Sequence, residues 1–449
     1  EQKHRIIKVY LGVAAAMLFV EQFAEHEDIY DGVEWLTLLF VTIYAAVLYQ
    51  MYLRGKAWQK QLFAWIAVAV MVCETSINTG VTSVANVSRS GYLENLEDYS
   101  ELAAQVMEQD KDFYRFDKFK RKTKNDGTLL GYPTASVFSS TMNSAVMDLY
   151  ERLGMRHSKV YYDYDGSTAF TSALLNVKYV FGESPQFSND IFTPEESLGT
   201  VSVYRAKTLP FGYVAPVGYD LPEGYKNSGL RLQNQMVYDL GIQGTLFEKC
   251  TVRSDGGDNV RFTAEKDGIY YAILTASGTK KVKLTGTTPD ELEWNDTKKG
   301  AVLYLGNVSA GGKVTITNND SDDDTKKVSA DVYRLDEEVL REALDVLSAQ
   351  HLEDVKYDST HLSGRLSLRE EGRLILSVPC EKGWEVVLNG EPVEPEVFGG
   401  TFMAFDLQPG EYELSMHYVP YGKYAGIIVS VVSVIMFVMI CLIRRKRKH

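Results

Sequence analysis

Residues 424–443 read YAGIIVSVVSVIMFVMICLI and are followed at once by RRKRK at residues 444–448. About 20 apolar residues form a helix long enough to cross the roughly 30 Å hydrocarbon core of a bilayer. Dense clusters of Lys and Arg beside a span mark its cytoplasmic end. The sequence therefore predicts a final transmembrane helix at 424–443 and a basic cytoplasmic tail at 444–449.

Three further apolar runs lie near the start of the chain, at residues 6–20, 35–52 and 58–73. Basic residues precede the first and third runs, and an acidic loop precedes the second. Placing the basic flanks inside orients all four helices without conflict. We therefore expect three transmembrane helices within residues 1–80 and an extracytoplasmic region at 76–423. Three buried helices of a soluble domain are the alternative, which the length and apolarity of the 35–52 run disfavour.

Composition and charge narrow the class of protein. The 449 residues are 45% hydrophobic and carry a formal net charge of −13. The predicted cytoplasmic pieces carry eleven basic residues and one acid, a net charge of +10, so the rest of the chain carries −23. The outer region is therefore strongly acidic, which argues against a nucleic-acid partner. Four cysteines give no disulfide framework, although Cys250 and Cys380 could pair outside. The chain begins at Glu1 without a signal peptide, so we expect the carboxyl-terminal portion of a longer protein.

The outer region changes pattern along its length. Residues 81–245 mix helical and strand periodicity, which predicts an α/β domain. Residues 246–350 carry short β runs separated by turn residues and end in a charged helix, which predicts a β-sandwich. Residues 351–423 predict a second sandwich-like unit with an Asn389-Gly390 hairpin. The expected fold is a polytopic α-helical membrane protein with a large extracytoplasmic α/β plus β-sandwich region, whose sandwiches bury their own cores.

Short motifs in a fixed order resemble those of the YfhO family of bacterial polytopic membrane proteins. The motifs include Tyr114-Arg115, Ser139-Ser140 with Asn143, LNVKYV from residue 175, VY followed by LPFG at 203–212, Gly383-Trp384, and Tyr418-Val419-Pro420 before the final span. They cover essentially the whole chain, and their order rather than any single motif carries the resemblance.

The resemblance implies a fold and an activity. The family is similar to GT-C glycosyltransferases, which take sugars from polyprenyl-phosphate donors and modify wall polymers such as teichoic acids. It implies a bacterial cell membrane location, with the lipid bilayer, a polyprenyl-phosphate-linked sugar and a cell-wall polymer as partners. GT-C enzymes carry the catalytic carboxylate in the first outer loop, which this chain lacks. The alternative is a non-catalytic, membrane-anchored protein that binds wall glycan, but an anchor needs only one span.

Candidate site residues follow from position and from the motifs. Glu74, at the predicted outer end of a span, could act as a base or hold a divalent ion, with Asn78 beside it; the alternative is an interfacial residue that reaches water. Lys118, Lys120 and Arg121 belong to a basic run that could grip a lipid-linked phosphate or form a solvated loop. The family motifs add Arg115, Ser139, Ser140 and Asn143 as substrate-binding candidates.

Other patterns suggest less specific sites. Trp384 and the tyrosines Tyr161, Tyr162 and Tyr164 could stack on sugar rings, although Trp384 fits core packing better. The acidic cluster at 318–324 lacks the spacing of a calcium loop and predicts a hairpin tip. No zinc-binding motif occurs among the seven histidines.

Overall fold

The computed structural model describes residues 5, 8–13, 15–16, 33–53, 56–84, 92–183, 188–254, 259–276, 280–287, 292–295, 297–319 and 327–446. The chain forms two compact units, Glu1–Glu94 and Asn95–His449. The helices Val33–Leu53 and Ala57–Val84 belong to the first unit. The strands, the shorter helices and the last helix, Lys423–Lys446, belong to the second.

Helices α1 (Val33–Leu53) and α2 (Ala57–Val84) match the second and third predicted spans. The stretches of these helices that are long and apolar enough to cross a membrane are Leu36–Leu53 and Ala57–Gly80. The predicted span at 6–20 is described only at residues 5, 8–13 and 15–16, which are helical. Helix α2 is longer than the predicted run, and within it the Thr75 and Ser76 hydroxyls donate to the carbonyls of Met71 and Val72, both at 2.8 Å. Glu74 and Asn78 lie in the last part of the stretch Ala57–Gly80, and Asn78 is two residues from its end.

The α/β part of the second unit carries one mixed sheet. Its order is β1-β5-β7-β6, with β1 parallel to β5 and the other pairs antiparallel. Asn143 caps α5 by accepting from the backbone N–H of Ala145, and Gly154 ends that helix at φ 83°. The elements are α3 Leu96–Gln109, β1 Arg115–Lys118, α4 Asp126–Leu130, β2 Val137–Phe138, α5 Ser144–Leu153, β3 His157–Ser158, β4 Tyr161–Tyr162, α6 Ala169–Leu174, β5 Val177–Glu183, β6 Phe192–Leu198, β7 Val201–Ala206, β8 Tyr213–Ala215 and α7 Gly229–Asp239.

A β-sandwich follows, as the turn pattern predicts. Its sheets have the orders β10-β11-β16-β13-β14 and β15-β12-β17-β9. Helix α8 then begins at the Asp336 cap, whose carboxylate accepts from the N–H groups of Glu338 and Val339. The elements are β9 Phe247–Lys249, β10 Arg253–Ser254, β11 Asn259–Thr263, β12 Gly268–Leu274, β13 Lys281–Thr285, β14 Leu292–Asn295, β15 Val302–Val308, β16 Lys313–Asn318, β17 Ala330–Leu335 and α8 Glu337–Ser348.

The second sandwich borrows a strand from the α/β part. Its sheets have the orders β18-β19-β25-β21-β22 and β23-β24-β20-β8. Strand β8 pairs with β20, which begins more than 150 residues later in the chain. The elements are β18 Glu353–Tyr357, β19 His361–Leu368, β20 Gly372–Pro379, β21 Trp384–Leu388, β22 Glu391–Pro392, β23 Glu396–Phe398, β24 Phe402–Leu407, β25 Gly410–Tyr418 and the final helix α9 Lys423–Lys446. Helix α9 contains the predicted last span at 424–443, and its stretch Lys423–Arg444 is long and apolar enough to cross a membrane.

One central core joins the α/β part to both sandwiches. In β12, Tyr270 and Ala272 face the interior of the first sandwich, while Tyr271 and Ile273 face the central core. In the second sandwich, Ile375 likewise faces the central core. Sheets buried on both faces read as continuous rather than alternating apolar runs. Each sandwich buries a core of its own, as predicted, and each also shares the central core with the α/β part.

Cys250 and Cys380, the two cysteines that could have paired outside, are both free thiols. Cys250 packs beside the first sandwich core and Cys380 beside the second. Burial raises the pKa of both thiols above the ordinary value.

Candidate functional site

A cavity of about 390 Å³ opens between the α/β part and the first sandwich. That volume lies within the roughly 300–1,000 Å³ typical of small-molecule sites. Five separate segments contribute to it: residues 119–121 after β1, residues within 156–167 after α5, Phe192 of β6, and strands β14 and β15. The cavity thus exists only because two parts of the second unit pack together.

Arg121, Arg156 and Asp165 form the polar floor of this cavity, and the buried Asp163 pairs with both arginines. Arg121 Nη1 lies 2.7 Å from Asp163 Oδ2, and Arg121 Nη2 lies 2.9 Å from Asp165 Oδ2. Arg156 contacts the same carboxylates at 2.9 Å and 3.1 Å. The Asp163 side chain has no solvent exposure. The four groups balance one another, so the floor is a fixed array of guanidinium N–H donors.

Burial and neighbouring charges shift the pKa of the aspartates and of Arg121 in opposing ways. Burial raises the pKa of Asp163, and repulsion from Asp165 adds to the rise while Arg121 opposes it. Burial also raises the pKa of Asp165 against the effect of Arg121. Burial by itself would lower the pKa of Arg121, but the two carboxylates together raise it above the ordinary value. Both aspartates are committed to arginines and are poorly placed to serve as a general base.

Aromatic rings make the walls. Phe119 stacks on Tyr304 with ring centroids 5.8 Å apart and planes 24° apart. The hydroxyls of Tyr164 and Ser172 share a hydrogen bond of 2.8 Å. Half-buried Trp294, on the edge strand β14, lines the opposite side. Aromatic faces beside directional donors suit a sugar ring, which presents apolar C–H faces and polar edges.

The mouth of the cavity is tied across the two parts. Arg156 Nη1 donates to the carbonyl of Asn295 at 3.1 Å, and Asn189 Nδ2 donates to Tyr304 Oη at 3.0 Å. Exposed Lys120 and Glu293 lie at the rim. These contacts hold the aromatic walls at a fixed distance from the arginine floor.

Asp117 lies beneath the same region and is 2% exposed. Its Oδ2 accepts from the Ser136 hydroxyl at 2.7 Å and from the Thr134 hydroxyl at 3.1 Å. Burial raises the pKa of Asp117 to about 7, although these hydrogen bonds and Arg121 oppose the rise. Asp117 is therefore a buried carboxyl whose pKa lies near neutrality.

The basic run does not form a solvated loop. Lys118 is buried, pairs with Asp126 at 3.3 Å and lies 3.6 Å from the centroid of the Tyr99 ring. Burial lowers the pKa of Lys118, against the effect of Asp126. Lys124 lies 3.4 Å from the centroid of the Tyr161 ring. Of the three predicted phosphate-binding residues, Lys120 and Arg121 line the cavity and Lys118 does not.

The motif residues gather elsewhere, near the last span. Arg115 donates to the Ser377 carbonyl at 2.8 Å and so links β1 to β20. Asn143 Nδ2 donates to Glu381 Oε1 at 2.8 Å, in addition to capping α5. Ser139 and exposed Ser140 precede that cap. The geometry gives Arg115 and Asn143 structural roles, and it brings neither to the cavity.

Trp384 packs against the second core. Its ring lies 5.0 Å from that of Tyr418, as the core-packing interpretation predicts.

In the first unit, Tyr44 donates its hydroxyl to Glu74 Oε2 at 2.6 Å. This bond joins α1 to α2 within the spans. Polar groups inside a membrane are costly and are retained for function or partnering. No group of three or more His, Cys, Asp or Glu is placed to hold a metal ion in the described residues. Most of the acidic cluster at 318–324 lies outside the residues that the structure describes.

Sequence reasoning missed Trp294, Tyr304, Arg156 and Asp163. The only available signal was local, a charged and aromatic stretch at 156–165 that includes the three tyrosines. Nothing in the sequence indicated that residues 292–304 would face that stretch.

Comparison with known proteins identifies the family. The family described as "Bacterial membrane protein YfhO" matches residues 2–430. The Bacillus subtilis (strain 168) protein "Uncharacterized protein YfhO" is 28% identical over 117 residues, which are 26% of this chain and 13% of that protein. A crystal structure of GH2 beta-galacturonidase from Eisenbergiella tayi bound to galacturonate aligns at 8% identity over 37% of this chain and 30% of that chain. Its TM-score of 0.13 supports no conclusion about fold or function. Because the family match spans nearly the whole sequence, this chain belongs to the YfhO family of bacterial membrane proteins.

Proposed function

We propose that this chain is the carboxyl-terminal part of a membrane glycosyltransferase that moves a sugar from a polyprenyl-phosphate donor to a cell-wall polymer such as a teichoic acid. In this proposal the second unit is extracytoplasmic and holds the acceptor glycan in the cavity beside Trp294. The donor binds among the spans, and a divalent ion could assist at Glu74. In this proposal the catalytic carboxylate lies outside this chain. Glu74 is the candidate base within the chain.

The cavity is the observation that carries the proposal. Its aromatic walls can cover the apolar face of a sugar while Arg121 and Arg156 donate to hydroxyl or phosphate oxygens. Because Asp163 and Asp165 are paired with these arginines, the cavity is suited to hold a substrate rather than to activate one. Holding the acceptor in register contributes a large entropic share of the catalysis in such reactions.

The test uses the full-length protein in membranes, supplied with lipid-linked sugar and wall polymer. Trp294→Ala should raise KM for the acceptor about tenfold, which corresponds to about 1.4 kcal/mol of lost binding, and leave kcat nearly unchanged. Tyr238→Ala is the matched control, since Tyr238 is 61% exposed on α7 and does not line the cavity. An unchanged KM in Trp294→Ala would remove the cavity from the acceptor site.

A second arm tests the activity itself. This chain expressed alone should insert into the membrane and transfer no sugar above a no-protein control. Turnover by the chain alone would place the active site within these residues. Glycan binding without transfer by the full-length protein would instead support the anchored glycan-binding alternative.

A further inference from the structure

The second sandwich passes into the membrane helix through a very short connection. Strand β25 ends at Tyr418 and α9 begins at Lys423. The connection is folded, because the Lys423 N–H donates to the Pro420 carbonyl at 3.0 Å. Four residues reach at most about 14 Å even when fully extended. The end of β25 must therefore stay close to the bilayer surface.

The loop at residues 380–383 is fixed to the same end of the sheet. The Val419 N–H donates to the Gly383 carbonyl at 2.8 Å, and the Tyr418 hydroxyl donates to Glu381 Oε2 at 3.2 Å. Gly383 has φ +120°, and a Cβ there would lie 2.3 Å from the Val419 carbonyl oxygen. Only glycine allows this close approach, so the loop cannot lift away without losing the pairing.

The side chains at this end suit a lipid headgroup layer. Tyr421 is 83% exposed and Tyr424 is 66% exposed, although both are large and aromatic. Lys382 Nζ lies 5.8 Å from the centroid of the Tyr421 ring, and Lys423 opens the span. Tyrosine and lysine beside a span are the residues that prefer the membrane–water interface.

We infer that the loop 380–383 and Tyr421 form a bilayer-contacting surface that rests among phospholipid headgroups and holds the second sandwich in one orientation. The contact is continuous with the span and does not depend on sugar transfer. It also places Asn143, which donates to Glu381, at the same level as the headgroups. The partner is the lipid surface itself.

The inference is tested on the whole chain in phosphatidylcholine nanodiscs. Cys73, Cys250, Cys380 and Cys441 are replaced by Ser, and an environment-sensitive fluorophore is attached at Lys382→Cys. Lipids with a headgroup nitroxide should quench this probe at least threefold more than a probe at Gly390→Cys. Gly390 is the matched control because its hairpin lies at the other end of β21, about 16 Å away.

A second position keeps the test decisive if Lys382→Cys does not fold. The His361 side chain is 60% exposed, and the Tyr418 N–H donates to the neighbouring Thr360 carbonyl at 2.7 Å. A probe at His361→Cys should also be quenched more than the Gly390 probe. Equal quenching at the membrane end and at Gly390 would overturn the inference, because it would mean that the sandwich tumbles freely above the bilayer.

Discussion

Arg156 Nε lies 2.9 Å from Asp163 Oδ2, and the Asp163 side chain is fully buried. The two residues are separated by seven positions, yet their pair sits where the α/β part meets the first sandwich. Arg156 also donates to the Asn295 carbonyl across that junction. The pair therefore belongs both to the candidate sugar site and to the stability of the second unit.

Breaking this pair should destabilise the protein. Asp163→Ala leaves two guanidiniums sharing one carboxylate, and removing one partner of a buried pair costs about 3–5 kcal/mol. A lower midpoint in thermal denaturation of the detergent-solubilised protein would show this. Arg365→Met is the control, because Arg365 pairs with Asp354 on the surface, where such pairs contribute about 0–1 kcal/mol. A loss no larger than that of the control would contradict a stabilising role for the pair.

Asp117 should make stability depend on pH. Its folded pKa of about 7 lies above the ordinary value, so the folded state binds a proton that the unfolded state releases. The contribution of Asp117 to the free energy of unfolding is therefore most favourable at low pH, and it is lost as pH rises from about 4 to 7. Asp117→Asn should flatten the pH dependence of the melting temperature in that window. Asp345→Asn, on the exposed face of α8, should leave the profile of the parent; an unchanged profile in Asp117→Asn would contradict the buried carboxyl.

The boundary of a stable soluble fragment should lie before residue 246. A fragment of residues 246–418 lacks β8 and exposes the faces that contact the central core. A fragment of residues 95–418 keeps both. We expect the longer fragment to melt cooperatively, and we expect the shorter one to aggregate or melt broadly, as followed by circular dichroism. A sharp melt of the shorter fragment would show that the sandwiches are independent after all.

Glu74 should act together with Tyr44. Glu74→Gln in the full-length protein should cut sugar transfer without lowering membrane abundance, if Glu74 serves as base or ligand. Tyr44→Phe removes the hydroxyl that donates to Glu74 at 2.6 Å and should reduce transfer to a smaller extent. Thr75→Ala is the control, since Thr75 bonds only its own helix among the contacts described. Parental activity in Glu74→Gln would leave the residue a structural role.

The orientation predicted from charge can be tested by labelling. A membrane-impermeant thiol reagent on intact cells should modify Gly390→Cys and Lys120→Cys, which are exposed. Asp117 is too buried to serve as a probe site. Lys446→Cys should react only after the cells are opened. Labelling of Lys446→Cys on intact cells would reverse the orientation of the second unit and with it the proposed function.

The sequence by itself determined the elements whose signals are local. Apolar length defined the spans at 35–52, 58–73 and 424–443, because a bilayer demands about 20 residues irrespective of the rest of the chain. Turn residues such as Asn389-Gly390 placed a hairpin within a few residues of its observed bounds. The order of short motifs indicated the family that the comparison confirms.

Tertiary structure alone decided the site and the arrangement of the cores. Phe119, Asp165 and Trp294 are far apart in sequence, and no local periodicity records that they share one cavity. The role of β8 in the second sandwich and the double-faced burial of β12 are likewise products of long-range packing. The charged residues of the basic run show the same dependence on tertiary structure. The sequence reveals that Lys118 and Arg121 are cations, but only the fold supplies the buried carboxylates that pair with them.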